Sequence, residues 1–405
     1  MSQKKNRNVA IIGIGMTEIS SHKEDQNQPE MINEAVRAAL ADSGITMKDI
    51  DCIVHGNMEL FEMVHQPDMW HTLGTGALDK PSFRITTGGT TGMTLVAASD
   101  NLVASGMYDI VMAIGFNKLQ EAGSTTGGIT NMADPLWYRH LQTGALTSTS
   151  ANMTIEEFGE ERSRRAAIKH RIMMDKHATL NKRAHRRFGL EYSQMEDLMK
   201  NSPPLIGELR LIHMCSQSDG ACVLILASEK KAKKLSKKPV WIRDHIAVHR
   251  EETASNAYFP MLSETSHRVA ARKLFARNGI TNPIEYFDVF EMYDPSAWWG
   301  MEWLRDFFLL DGDEHIKMVE NGDWGIDGKM PVSPSGGVTA SNPISATAML
   351  KPAEVALQIR GDAGSHQLKR EVRHGLASGF GGVMWTEIMI LEKDLNWQEG
   401  DHDRK

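Results

Sequence analysis

One stretch of this chain occurs twice. Arg37–Met58 reads RAALADSGITMKDIDCIVHGNM, and from Arg272 the chain reads RKLFARNGITNPIEYFDVFEMY, so Gly44, Ile45 and Thr46 fall on Gly279, Ile280 and Thr281, 235 positions on. Each copy is a helix-periodic segment, a glycine stop and a short apolar run of strand character. Around the first copy the order is strand (Val9–Met16), helix (Met31–Ser43), strand (Asp51–His55), helix (Thr94–Ser105, stopped by Gly106) and strand (Asp109–Gly115). In the second half, a helix ending near Gly361 mirrors the one ending at Gly106, and after a longer insertion the strand Trp385–Lys393 follows. A duplicated βαβαβ unit makes this an α/β protein, and two copies packed around one core let 405 residues form a single body.

Between the copies the rhythm breaks. Residues 117–210 are polar and rich in Arg, His and Met, with one long helix predicted over Ile155–His185, and read as an excursion that covers something. Cys222–Ser228 returns to a strand, and the lysine-rich run Lys230–Pro239 reads as an exposed linker. The expected division is therefore 1–238 and 239–405, with 117–210 inserted in the first half.

Composition narrows the function. Lys and Arg total 45 against 52 Asp and Glu, a net charge of -7 that argues against a nucleic-acid binder. No run approaches the ~18 apolar residues that span a bilayer, so no membrane role is expected. The basic start MSQKKNRNVAIIGIG lacks a small-residue cleavage site and reads as a strand. Three widely spaced cysteines, Cys52, Cys215 and Cys222, offer neither a disulfide framework nor a zinc site, and suit a reducing, cytoplasmic setting. No HExxH spacing suggests a metal. The 25 methionines read as core filler.

Chemistry is expected where strands meet helices. Thr86–Gly92 (TTGGTTG), Ser333–Gly337 (SPSGG) and Ser378–Gly382 (SGFGG) are Gly-rich turns, and Glu291–Pro295 (EMYDP) closes the repeated strand. Such turns and helix starts present backbone N–H groups suited to an anion or a developing oxyanion.

These turns, with VAIIGIGMTE, SGMYDIVMAIG, SDGACVLILASEKKA, VFEMYDPSA, PVSPSGGVTASNPISA and ASGFGG, make the chain resemble the thiolase superfamily, in its branch related to the thiolase domain of sterol carrier protein, over nearly its full length. The resemblance implies a thiolase fold, two βαβαβ halves in an αβαβα layering, and coenzyme A as substrate or thioester carrier. The family's reacting groups, however, are replaced. Its nucleophilic Cys falls on Gly89 of Gly89-Thr90-Thr91-Gly92, its His-Asp pair on Tyr293-Asp294, its Gly-His-Pro on Ser341-Asn342-Pro343, and its C-terminal Cys turn on Ser378-Gly379-Phe380-Gly381. Acyl-enzyme chemistry needs a thiolate and a base, and neither stands at these positions.

What the resemblance leaves is an enolate-stabilising apparatus. It comprises backbone N–H groups near Gly89, Gly381 and Gly382, the Asn342 amide, the polar residues Thr90, Thr91, Ser341 and Ser378, and the Tyr293 hydroxyl beside Asp294. That is the equipment of a retro-aldol lyase, and is similar to the thiolase-like aldolases that shorten steroid side-chain CoA esters with tyrosine. A phenol with pKa ~10 serves as base only where neighbours lower that value, so His65 and His140 are further candidate bases. Cys215 and Cys222 flank SDG, read as a packing motif. The alternatives are β-ketoacyl-CoA thiolysis by direct attack of CoA, as one subunit of a complex with a small OB-fold, zinc-ribbon protein, and a non-catalytic acyl-CoA-binding scaffold. The Met- and Trp-rich segments Met58–Trp70 and Trp298–Trp303 point to a bulky acyl group. A homodimer is expected near the helix following Gly92, and a cysteine returned at Gly89 is expected to leave the fold intact.

Overall fold

The computed structural model describes residues 7–121, 123, 143–249, 264–382 and 385–395, with 143–149 described by backbone only. The strands are β1 (Val9–Met16), β2 (Cys52–Gly56), β3 (Ser82–Arg84), β4 (Ile110–Lys118), a small hairpin of β5 (Pro204–Ile206) and β6 (Leu209–Arg210), β7 (Asp219–Ser228), β8 (Val240–His249), β9 (Val289–Glu291), β10 (His374–Phe380) and β11 (Trp385–Glu392). The principal helices are α1 (Gln28–Ser43), α2 (Asp68–Thr75), α3 (Thr91–Ala104), α4 (Thr143–Phe158), α5 (Glu160–Leu180), α6 (Tyr192–Asn201), α7 (Ser266–Arg277), α8 (Ala297–Phe307) and α9 (Ile344–Arg360).

Local chemistry sets the helix ends. At the start of α1 the Asn27 side chain accepts from Glu30 N, and the Glu30 carboxylate accepts from Asn27 N, a reciprocal pair that satisfies two otherwise orphaned donors. Gly44 ends the helix in the left-handed region at φ 69°, where a side chain would be strained.

Nine strands share one hydrogen-bonded sheet in the order β3-β2-β4-β7-β1-β8-β11-β10-β9. Its two arms repeat each other outward from the antiparallel β1–β8 contact. On one side β1, β7 and β4 are antiparallel and β2 lies parallel to β4; on the other β8, β11 and β10 are antiparallel and β9 lies parallel to β10. The duplicated segments are thus α1–β2 and α7–β9. The counterpart of β4 is β10, and Trp385–Glu392 matches β7, so the expected pairing of Asp109–Gly115 with the final strand is corrected by the register.

The arms stack rather than lie flat. Along β1, Val9 and Ile11 enter a central apolar cluster with residues of α3 and α9, while Ala10 and Ile12 join an outer cluster with α1. Along β11, Met389 and Leu391 face the centre, while Ile388 and Ile390 face an outer cluster with α7 and α8. This two-residue alternation, with both sides of every central strand buried, gives five layers in the order αβαβα. In the middle layer α3 crosses α9 at Gly92, where a Cβ would lie 2.3 Å from Met349 N. Only glycine fits there.

Two further expectations are corrected. The long helix breaks at Gly159 (φ 86°) into α4 and α5. The lysine run is partly a helix, Glu229–Leu235, with Lys233 paired to Glu229 one turn earlier. The Gly/Thr run ahead of α3 packs in part within the chain, its Gly88 against the Gly381 carbonyl.

Candidate active site

Helices α3 and α9 both begin at one place. Gly89 and Thr90 lead into α3, Asn342 and Pro343 lead into α9, and Tyr293 follows β9. Chain duplication places the two helix starts together, so their partial positive ends support negative charge at a shared point.

Gly89 and Tyr293 meet there. A Cβ on Gly89 would lie 2.2 Å from the Phe380 carbonyl oxygen and 3.2 Å from Tyr293 Oη. The phenol therefore stands against the space in which a side chain of residue 89 would begin. Tyr293 is held by its backbone N–H donating to Ser378 Oγ at 2.9 Å, and its hydroxyl donates to Asn342 Oδ1 at 3.5 Å. The same Oδ1 accepts from Thr347 Oγ1 at 2.9 Å, and Asn342 N donates to Ser218 Oγ at 3.2 Å.

Tyr293 is only 4% exposed. Burial pushes its phenol well above the ordinary value, and neighbouring Cys215 and Asp294 push it further. The neighbours thus do not lower the value, as a base at this position would need. The phenol stays protonated.

Asp294 is fully buried; Oδ1 accepts from Val338 N at 2.8 Å, and Oδ2 lies 3.8 Å from His170 Nε2 of α5. His170 is also fully buried, and its ring nitrogens have no hydrogen-bond partner among the described residues. Through His170, α5 thus reaches Asp294, a contact that the sequence did not mark.

Cys215 is the other residue the sequence reading passed over. Its sulfur lies within hydrogen-bonding influence of the Asn342 side chain, with Arg186 and Asp294 nearby, and burial pushes the thiol up to about 11. Its N–H donates to Pro295 O at 2.9 Å, which ties the SDG approach to the Tyr-Asp turn. Ser218 of the same motif binds both Asn342 N and His185 Nδ1. SDG and its flanks therefore belong to the site as well as to packing. No local pattern announces this, because the contacts join segments well separated along the chain.

Several expected binding groups are engaged elsewhere. Thr90 Oγ1 donates to Thr87 O at 2.8 Å and Thr91 Oγ1 to Gly88 O at 2.6 Å, so both hydroxyls lock the turn. Gly381 N donates to Trp385 O at 3.1 Å within the β10–β11 connection, which removes it as an oxyanion donor. Gly382, at φ 104°, faces open space. Ser341 Oγ accepts from His185 N at 3.3 Å. His65 is exposed in the loop ahead of α2 and makes none of the contacts linking this cluster, so it is corrected as a candidate base. His140 lies outside the described residues.

An aromatic wall flanks the phenol. Phe380 lies 6.3 Å from Tyr293 between ring centroids, 5.6 Å from Trp299 and 4.8 Å from Trp303, and the two indoles stack at 5.2 Å. Among the described residues no group of three or more His, Cys, Asp or Glu side chains could hold a metal, and no helix is long and apolar enough to cross a membrane.

With the layering and the site in view, the comparisons with known proteins place the chain plainly: it belongs to the thiolase superfamily. Residues 9–187 match the thiolase N-terminal domain, and residues 249–393 match the thiolase C-terminal domain-like family. An acetyl-CoA acetyltransferase of Methanothermobacter thermautotrophicus is 28% identical over 398 residues, covering 95% of this chain and 99% of that one. Sterol carrier protein 2 of Oryctolagus cuniculus is 27% identical over 395 residues, 93% of this chain and 71% of that protein. A solved Ltp2-ChsH2(DUF35) aldolase superposes with a TM-score of 0.77 at 22% identity, over 96% of this chain and 99% of that one.

Proposed function

We propose that the protein is an enzyme that cleaves or forms a carbon–carbon bond beside the carbonyl of an acyl-CoA thioester, as a retro-aldol lyase. The observation that carries this reading is the phenol of Tyr293 standing 3.2 Å from where a Cβ of residue 89 would be, with glycine in place of a nucleophile. In the cleavage direction the β-hydroxyl loses its proton, the Cα–Cβ bond breaks, its electrons pass to the thioester enolate, and Cα gains a proton. A phenol that stays neutral serves as a shuttle, giving its own proton to Cα as it receives that of the β-hydroxyl. The helix starts and the Asn342 amide support the enolate charge, Ser378 holds Tyr293 in place, and Asp294 next to it is anchored to Val338 N. The wall of Trp299, Trp303 and Phe380 suits a bulky apolar acyl group.

A second reading, thiolytic acyl transfer, is favoured by Cys215 lying against Asn342 and by the acetyltransferase relatives. The raised Cys215 thiol weakens only a version that runs through an acyl-enzyme, since that needs a thiolate on the chain, whereas direct attack by CoA does not. Incubation with a β-hydroxyacyl-CoA and a β-ketoacyl-CoA, each with and without free CoA, separates the two. The lyase cleaves the hydroxy ester without CoA, whereas CoA-dependent thiolysis of the keto ester alone would reverse the choice.

We also propose the division 1–238 and 239–405, the second half opening with β8, and a homodimer formed through the β3 edge. Among the described residues that strand pairs only with β2, Phe83 on it is exposed, and Met69, Trp70, Leu73 and Leu78 in and after α2 are exposed as well. An unpaired edge flanked by apolar side chains calls for a covering partner. Light scattering should give twice the single-chain mass, and Phe83→Lys should shift it to the monomer; a wild-type monomer would refute the interface. The similar Ltp2-ChsH2(DUF35) aldolase includes a DUF35 component by name, and a small partner of that kind, with an OB fold and zinc ribbon, is proposed here as well.

A further inference from the structure

Beneath the site lies a buried carboxyl with no part in the chemistry above. Glu387 sits on β11 opposite Gly379 of β10, on the face that turns towards α3 and carries Met389 into the central core. It is 4% exposed. A buried carboxyl among apolar neighbours persists only with partners, and Glu387 has one in line with the site. Thr94 Oγ1 donates to Glu387 Oε1 at 2.6 Å, Thr87 Oγ1 lies 2.7 Å from Thr94 Oγ1, and Thr90 Oγ1 reaches Thr87 Oγ1 at 3.2 Å. Three hydroxyls thus link Glu387 to the turn that presents Gly89 to Tyr293. Thr91 Oγ1 closes the same turn, accepting from Thr87 N at 2.9 Å and donating to Gly88 O.

Each hydroxyl owns a single proton, so the chain has a direction. Facing an ionised Glu387, Thr94 donates to it and accepts from Thr87, and Thr90 shares its one proton between Thr87 O and Thr87 Oγ1. Facing a Glu387 that donates its own proton to Thr94, the order reverses, and the Thr87 proton is directed out of the chain. We propose that Glu387 is a positioning residue whose proton sets the direction of the Thr94–Thr87–Thr90 chain and, through it, the seating of the Gly88–Gly89 turn against Tyr293.

The surroundings put that change in the neutral range. Burial pushes the Glu387 carboxyl up to about 7, opposed by Thr94, by His245, by Thr90 and by Trp385. The titratable groups around it are His245 of β8, bound to Asp100 of α3 at 3.1 Å, and His249, stacked on the Trp385 ring. On α9, Lys351 and Glu354 are engaged with Glu291 and His366.

The test uses the intact protein labelled at threonine methyls, with turnover of a β-hydroxyacyl-CoA followed from pH 5.5 to 8.5 in parallel. In the wild type the methyl resonances of Thr87, Thr90 and Thr94 should move together with a midpoint of about 7, and kcat should rise about tenfold across it with KM unchanged, the scale of a small misplacement of a reacting group. Glu387→Gln retains an oxygen to accept from Thr94 but cannot ionise, so both profiles should become flat. Should that variant not fold, Thr94→Val breaks the chain at its middle, and Thr87 and Thr90 should cease to titrate. Methyls that stay fixed in the wild type, or still titrate in Glu387→Gln, overturn the inference, as does a kcat profile that ignores a methyl titration. The turnover arm rests on the lyase reading. Titrating methyls with no turnover of either class of ester would remove that reading and leave the relay in place.

Discussion

Tyr293→Phe is expected to lower turnover of the β-hydroxyacyl-CoA by ~10²–10⁴-fold while the protein folds and binds the ester as before, the range usual for a general acid–base group. Only the oxygen is removed. The ring keeps its place beside Phe380, and its backbone N–H still donates to Ser378 Oγ. The lost hydrogen bond is a long one to Asn342 Oδ1, which has Thr347 as a second donor, so no buried acceptor is left unpaired. Stability should therefore change by no more than about 1 kcal/mol. Steady-state kinetics beside a thermal melt check both halves. Unchanged turnover would shift the proton role to Cys215 or Asp294. A melt that fell with activity would show that the hydroxyl is structural.

Gly89→Cys should destabilise the protein without restoring thiolase chemistry. The sequence alone predicts a tolerated change, since a cysteine occupies this position elsewhere in the family. Here the added Cβ would sit 2.2 Å from the Phe380 carbonyl oxygen, and Phe380 is tied into β10 by its pairing with Thr386. Backbone must shift to admit it, at a cost of about 1–3 kcal/mol, the usual range for overpacking a filled interior. Gly89→Ala, with the same Cβ, should lose a similar amount, which separates the steric effect from any chemistry of sulfur. Thiolysis should stay absent in the cysteine variant, because Asn342 offers an amide where the family has its activating histidine. Urea unfolding of both variants and a thiolysis assay decide the matter. Full stability together with CoA-dependent cleavage would show that the loop seats differently.

What the residues alone determined was the repeat, and with it most of the architecture. Glycines at 44, 279 and 361 stop helices wherever they are placed, because the left-handed backbone they adopt is a local property. Apolar runs such as Val9–Met16 and Cys222–Ser228 become strands in the interior because both their faces are apolar. The absence of cysteine at 89 and of histidine at 293 and 342 is equally a matter of reading the chain, and it already argued against acyl-enzyme chemistry.

Tertiary structure decided the rest, since it depends on distances between distant segments and on exclusion of water. Whether Tyr293 ionises could not follow from its identity. Stacking of the two arms buries it, and burial pushes its phenol up. Cys215 and His170 reach the site only because the inserted segment and the approach to β7 fold over the Tyr-Asp turn. Gly381, a donor on paper, has its N–H taken by the strand connection it serves, and His65 faces solvent. Glu387 reads as one more residue of a final strand. It acquires partners in the site only when β11 packs beneath α3 and its carboxyl, cut off from water, meets the hydroxyls of a turn nearly three hundred residues earlier.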